Sequence, residues 1–171
     1  MNKINPTQLL NRQHNRTNFH CDEKLLDVYL KRQAGQDVRK RLSACFVLTA
    51  YESNEVIGYY TLSNNSIPLQ LVPEVYRKKF PSSYESIPTT LLGRLAIDKN
   101  YQGKGLGEFL LVDALKRSYE ISQTSASFAV VTDPINNKAA EFYEKYGFQK
   151  LPDSGKMFIP MKTLSDLFKS T

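Results

Sequence analysis

The hydrophobic positions of this chain change period along its length, and each change marks an element. From Asp22 to Gln36, Leu25, Leu26, Tyr29, Leu30 and Ala34 recur at helical spacing behind Asp22, a candidate capping residue. Cys45 to Thr49 and Val56 to Leu62 then read as strands, and Y-E-S-N-E between them supplies the turn of a hairpin. Four prolines between Pro68 and Pro88 break that segment into a short helix near Pro73 to Lys79 and a loop. Leu91 to Ile97 reads as a buried strand, Leu106 to Tyr119 as a helix with Leu110, Leu111, Ala114 and Leu115 on its apolar side, and Phe128 to Thr132 as a strand. After D-P-I-N comes a short helix ending in K-Y-G-F, where Gly147 suits the left-handed residue that closes a helix. Phe148 to Leu151 and Met157 to Met161 predict two antiparallel strands, followed by a helical turn. Helix and hairpin first, then strands alternating with helices, predict an α/β or α+β layer around a mixed sheet.

Composition narrows the class without naming a chemistry. The chain has 171 residues, 41% hydrophobic and 23% charged, which fits one globular domain and excludes collagen-like or low-complexity chains. No apolar run approaches the roughly 20 residues that span a bilayer, and M-N-K-I-N-P-T-Q lacks the apolar block of a signal peptide. The expectation is a cytoplasmic protein with no membrane partner. The two cysteines, Cys21 and Cys45, fit neither a disulfide framework nor a zinc knuckle, so buried thiols are expected. His14 and His20 sit in no metal-binding pattern, and no metal is expected. A formal charge of +6 favours polyanions. Its basic clusters, Lys31, Arg32, Arg39, Lys40 and Arg41, then Arg77, Lys78 and Lys79, read equally as solvated helix faces.

The chemistry begins at Y-Q-G-K-G-L-G, residues 101 to 107. Glycines there let backbone N–H groups turn toward a guest and let a phosphate approach without meeting a Cβ. Between a strand and a helix, the same loop aims the helix N-terminus at an anion. The stretch fits neither a Walker loop nor the G-x-G-x-x-G dinucleotide fingerprint, since the sixth position from Gly103 is Glu108. It does read Q-x-x-G-x-G over Gln102, Gly103, Lys104, Gly105, Leu106 and Gly107. That pattern resembles the coenzyme A pyrophosphate loop of the GNAT N-acetyltransferase superfamily. Further on, Asn136, Ala139, Phe142, Tyr143, Gly147 and Phe148 match that family's N-x-x-A-x-x-F-Y and G-F signature.

The resemblance implies a GNAT fold: a single α+β domain over residues 1 to 171, with a central mixed, mostly antiparallel sheet flanked by helices. Residues 1 to 90 would form the acceptor-side half and 91 to 161 the acetyl-CoA-binding half. It also implies acetyl-CoA as cosubstrate. Backbone groups of Leu95, Ala96 and Ile97 would meet the pantetheine arm, and Gln102 with the amides of Gly103, Lys104, Gly105, Leu106 and Gly107 would hold the pyrophosphate. Asn136 would touch the pantetheine or position its helix, and Tyr143 would protonate the departing thiolate. Asp98 and Asp133 close predicted strands but mark no clear general base.

The first half has its own likeness. F-H-C-D-E-K-L-L-D-V-Y-L from Phe19 and V-P-E-V-Y-R-K-K-F-P with I-P-T-T-L-L-G-R-L-A-I-D resemble the toxin-type GNAT branch, although Asp22 replaces a glycine and Ala44 an arginine usual there. That branch acetylates the α-amino group of aminoacyl-tRNA, pairs with a DNA-binding antitoxin and forms homodimers. Three readings stay open at this level: an aminoacyl-tRNA acetylating toxin, a housekeeping acetyltransferase of a small amine or protein amino group, and an inactive module that binds acetyl-CoA or nucleic acid.

Overall fold

The structure is a computed structural model and describes residues 3 to 169. Met1 and Asn2 of the amino-terminal stretch, and Ser170 and Thr171 of the expected closing turn, lie outside the described residues. In chain order the elements are β1 (Gln8–Leu9), α1 (Lys24–Val28), a π-helical turn (Tyr29–Gln33), α2 (Ala34–Lys40), β2 (Ala44–Thr49), β3 (Val56–Pro68) and α3 (Glu74–Arg77). There follow β4 (Ser86–Ile97), α4 (Leu106–Ser122), β5 (Ala129–Thr132), α5 (Asn137–Lys145), β6 (Gln149–Lys150), β7 (Met157–Pro160) and α6 (Met161–Phe168). The strands form one seven-stranded sheet in the order β1-β2-β3-β4-β5-β7-β6. β4 and β5 run parallel, whereas β1 with β2, β2 with β3, β5 with β7 and β6 with β7 are antiparallel. The expected mixed, mostly antiparallel sheet flanked by helices is therefore present.

Contacts group the residues into two compact units. One runs to Ser63 and takes in Gly93–Ala114; the other holds Asn64–Leu92 and the chain from Leu115. In the first unit, every residue from Val56 to Leu62 is buried, the mark of a strand covered on both faces rather than an alternating edge. On one face Tyr59 packs with Phe19, Tyr29, Leu30, Ala34, Val47 and Ala96. On the other, Gly58 admits α4: a Cβ there would lie 2.7 Å from Ile97 Cδ1 and 3.0 Å from Leu110 Cδ1. The second unit gathers Ile67, Val72, Ile87, Val131, Leu151 and Phe158, with Tyr76, Phe80 and Phe128 packed against them. This is how the proline-rich segment is anchored, since Tyr76 meets Phe128 edge-on at 5.6 Å.

Several sequence expectations shift. Asp22 does not cap the first helix; its φ is +69°, and Glu23 at the cap position makes no side-chain capping bond. The carboxylate of Asp27 does related work from inside α1, accepting the Cys21 N–H at 2.8 Å and pairing with His20 Nδ1 at 2.8 Å. Leu25 is 80% exposed although its spacing placed it on the apolar side, because the π turn re-aims the stripe toward Tyr29, Leu30 and Ala34. The helical run also passes the predicted end at Gln36 and reaches Lys40, with Val38 packed on the core. β1 was not predicted, being only two residues long with both exposed. Phe128 precedes β5, β6 keeps only Gln149 and Lys150 of its predicted span, and Met161 begins α6 rather than ending β7. Gly147 does take a left-handed φ of +94° behind α5, and both cysteines are free and buried.

Candidate active site

In the first unit, β4 ends at Ile97 and the chain enters α4 nine residues later through the glycine stretch. Gly103 has φ +72° and Gly105 φ +78°, both in the left-handed region that favours glycine. A Cβ built on either would meet no atom within 4 Å. The bareness of this loop therefore serves no packing need of the fold itself. It clears space in front of the first turn of α4, whose N–H groups have no partner within the helix and carry the positive end of its dipole. Lys104 is exposed, its Nζ 3.1 Å from Asn100 O and 5.2 Å from the Tyr101 ring centroid. Lys104, Gly105 and Leu106 also border a cavity of about 910 Å³ with Tyr101 and Phe109.

Gln102 is fastened rather than free. Its Nε2 donates to Ile97 O at 2.9 Å and to Cys21 O at 3.3 Å, tying the loop to the end of the strand. Leu95 is half-buried, and Ala96 and Ile97 are buried. Asp98 is structural: Oδ1 accepts the Asn100 N–H at 2.9 Å and Oδ2 the His20 N–H at 3.0 Å. Its carboxylate is thus spent on backbone, and Asp133 is exposed. The Cys21 and Cys45 thiols are both pushed up to about 12, burial being the main cause, so both stay protonated and unreactive near neutral pH. Among the described residues no cluster of three or more His, Cys, Asp or Glu could hold a metal, and no helix is long and apolar enough to cross a membrane.

In the second unit, Asn136 caps α5, its Oδ1 accepting the Ala139 N–H at 2.8 Å. Tyr143, two turns on, is buried, with its ring edge-on to Phe142 at 5.4 Å and tilted against Phe148 at 5.2 Å. Burial pushes its pKa above the ordinary tyrosine value, against the opposing effect of a hydrogen bond with Thr132. The Thr132 hydroxyl donates to Leu92 O at 2.9 Å. Tyr143 is therefore a neutral phenol at physiological pH, able to give a proton and poor at taking one.

Periodicity gave no hint of Arg94. It stands inside the apolar run L-L-G-R-L-A-I of β4, and its guanidinium carbon lies 3.5 Å from the centroid of the Tyr29 ring. A lone cation in an otherwise apolar run was the available signal.

A mixed sheet flanked by helices, with an open glycine loop before a helix, is the arrangement expected of an acyl-CoA-dependent transferase, and the comparisons with known proteins give that class. The model of the acetyltransferase (GNAT) family matches residues 8 to 148, and the chain belongs to that family. It is 32% identical over 136 residues, 80% of this chain and 79% of the relative, to a tRNA-acetylating toxin of Mycobacterium tuberculosis. Among solved structures it is similar to the toxin AtaT. AtaT complexed with acetyl-methionyl-tRNAfMet superposes with a TM-score of 0.89 at 27% identity, covering 97% of this chain and 99% of that one. AtaTR bound with acetyl-CoA gives 0.84 at 28% identity, over 96% and 98%. An AtaT mutant bound to the C-terminus of the antitoxin AtaR gives 0.79 at 25%, over 96% and 98%.

Proposed function

We propose that this chain transfers acetyl from acetyl-CoA to the α-amino group of an aminoacyl-tRNA, as a toxin restrained by a DNA-binding antitoxin. The observation that carries the donor half is the pair of left-handed glycines, Gly103 and Gly105, with open space where their Cβ atoms would be. The acceptor half is supported by the likeness to the tRNA-acetylating toxin over 80% of the chain.

Bound acetyl-CoA supplies an acetyl group activated as a thioester. The amides of Gly103 to Gly107 would receive its pyrophosphate, helped by the dipole of α4 and the Lys104 charge. Gln102 would hold the loop's shape through its two backbone carbonyls. Backbone groups of Leu95, Ala96 and Ile97 would bind the pantetheine, with an N–H of that strand polarising the carbonyl as an oxyanion donor does. Asn136 would keep α5 in place by capping it, and Tyr143 would pass its phenolic proton to the leaving thiolate, whose ordinary pKa is about 8.5. No side chain is needed as a base. An α-amino group with a pKa of about 7.7 to 8.0 is already partly neutral, and water can take its proton. In this reading residues 1 to 90 recognise the acceptor and 91 to 161 the donor, the protein acts in the cytoplasm where charged tRNA is, and it works as a homodimer.

Incubating the protein with labelled acetyl-CoA and a charged tRNA pool tests the reading. Label should appear on the aminoacyl ester and overexpression should arrest growth. Label on small amines or protein amino groups alone, with harmless overexpression, would favour a housekeeping acetyltransferase. No transfer to any acceptor would favour a binding module.

A further inference from the structure

Arg94 has an unusual setting, described entirely within the first unit. β4 places it two residues before Ala96, which packs with Tyr29, Leu30 and Tyr59, so strand alternation puts Arg94 on the same face. The Tyr29 ring beneath its guanidinium is immobilised: it is buried, stacked on Tyr59 at 6.3 Å, and its hydroxyl donates to Asp37 Oδ2 at 2.9 Å. Among the described residues no hydrogen bond or ion pair engages the Arg94 guanidinium, although the group is half-buried. A planar fork of five N–H donors, its central carbon 3.5 Å from the centre of a fixed aromatic ring and its donors unclaimed among the described residues, is organised for a guest that accepts two hydrogen bonds at once. A leucine would fill the same place in the apolar strand without that desolvation penalty.

The surroundings set the sign of the guest. Arg16 lies under the same helical segment, its Nη1 donating to Leu30 O at 2.8 Å. The π turn that opens at Tyr29 carries Lys31 and Arg32, both exposed. Asp37, the nearby carboxylate, is already occupied by the Tyr29 hydroxyl and, at 3.5 Å, by Gln33 Nε2. A bidentate fork near a basic helical segment suits a phosphodiester better than a carboxylate on a small amine, because Lys31 and Arg32 on that segment add charge for a chain of phosphates.

We propose that Arg94, laid on Tyr29, binds a phosphodiester near the 3′ end of the acceptor RNA and so positions the aminoacyl ester for transfer. The inference rests on the aminoacyl-tRNA reading and adds a positioning residue to it. Arg94→Gln and Arg94→Lys would be compared with the parent on two acceptors, aminoacyl-tRNA and a 3′-aminoacyl adenosine that carries no phosphate. For Arg94→Gln the expected result is a KM for tRNA raised roughly tenfold or more, as for a lost charge-assisted bond, with kcat within about threefold. The slope of log KM against log salt should fall by about one phosphate's worth. The loss on aminoacyl adenosine should be at least tenfold smaller than the loss on tRNA. Arg94→Lys should restore the salt slope and only part of the KM, since an ammonium keeps the charge without the fork.

Equal losses on both acceptors would overturn the inference, as they would mark Arg94 as a prop of the fold. So would an unchanged KM and salt slope on tRNA. Should Arg94→Gln fail to fold, Arg94→Lys decides alone: a rise in KM confined to tRNA supports the inference, and equal KM changes on both acceptors overturn it. A parent that acetylates tRNA while the Gln variant matches it refutes this inference alone, whereas a parent inactive on tRNA refutes the aminoacyl-tRNA reading and the inference with it.

Discussion

Gly105→Glu separates the needs of the ligand from the needs of the fold. At φ +78° a non-glycine residue costs about 1–2 kcal/mol of backbone strain. The new Cβ meets no atom within 4 Å, so no clash adds to that cost. For a chain of this size each kcal/mol is worth roughly 2–4 °C, and the variant should melt about 2–8 °C below the parent and remain folded at 25 °C. Binding should suffer far more. A carboxylate brought to about 4 Å from one phosphate charge is opposed by about 4 kcal/mol at an effective dielectric of 20, and each 1.4 kcal/mol is about tenfold in affinity. A loss of acetyl-CoA affinity of at least about a hundredfold by titration calorimetry is the expected result. Gly58→Ala is the opposite control, because its Cβ would press on Ile97 Cδ1 at 2.7 Å and Leu110 Cδ1 at 3.0 Å. It should cost about 1–3 kcal/mol of stability by overpacking, with affinity retained by the folded fraction. A folded Gly105→Glu protein that binds acetyl-CoA within about threefold of the parent would refute the pyrophosphate assignment.

Two further outcomes follow from the buried groups. Tyr143→Phe should lower kcat by roughly a hundredfold or more, as expected for loss of a general acid, and leave acetyl-CoA affinity within about threefold. Its stability cost should be about 1 kcal/mol, since Thr132 keeps its bond to Leu92 O; steady-state kinetics with calorimetry check both, and an unaltered kcat would remove Tyr143 from the reaction. Because the Tyr143 pKa is raised from 10.0, the parent's kcat should show no alkaline fall due to this group below about pH 10. For Asp27, burial pushes the carboxyl up, but bonds from the Cys21 thiol and amide and from His20 outweigh it and leave the pKa below 3.8. A depressed acid stabilises the fold fully above its unfolded value and loses that contribution as pH falls through the folded one. Urea midpoints should therefore fall less steeply for Asp27→Asn than for the parent between about pH 5 and 3, and parallel curves would show that Asp27 is not the coupled group.

Much of the architecture was legible because burial imposes a period. The hairpin from Cys45 to Leu62, the helix from Leu106 and the parallel strand before Asp133 all announced themselves that way. The glycine loop was legible for another reason: no L-residue tolerates φ near +75° as cheaply as glycine, so Gly103 and Gly105 had to be written into the sequence. What stayed hidden depended on partners far along the chain. Asp22 looked like a cap by composition but takes a left-handed φ beside Lys99. Asp98 looked like a possible base until the His20 and Asn100 amides were seen to use it.

By itself, then, the sequence determined most of the order of elements and the bare glycine loop, because these rest on local spacing or on the conformational range of one residue type, while Tyr143 entered as a candidate acid only through the family resemblance. Only the tertiary structure decided which polar groups are already satisfied and which are left to meet a substrate. The π turn that swings Tyr29 inward, and Arg94 stacked on it with no hydrogen-bond acceptor among the described residues, come from packing between segments some sixty residues apart. No spacing rule reaches that far.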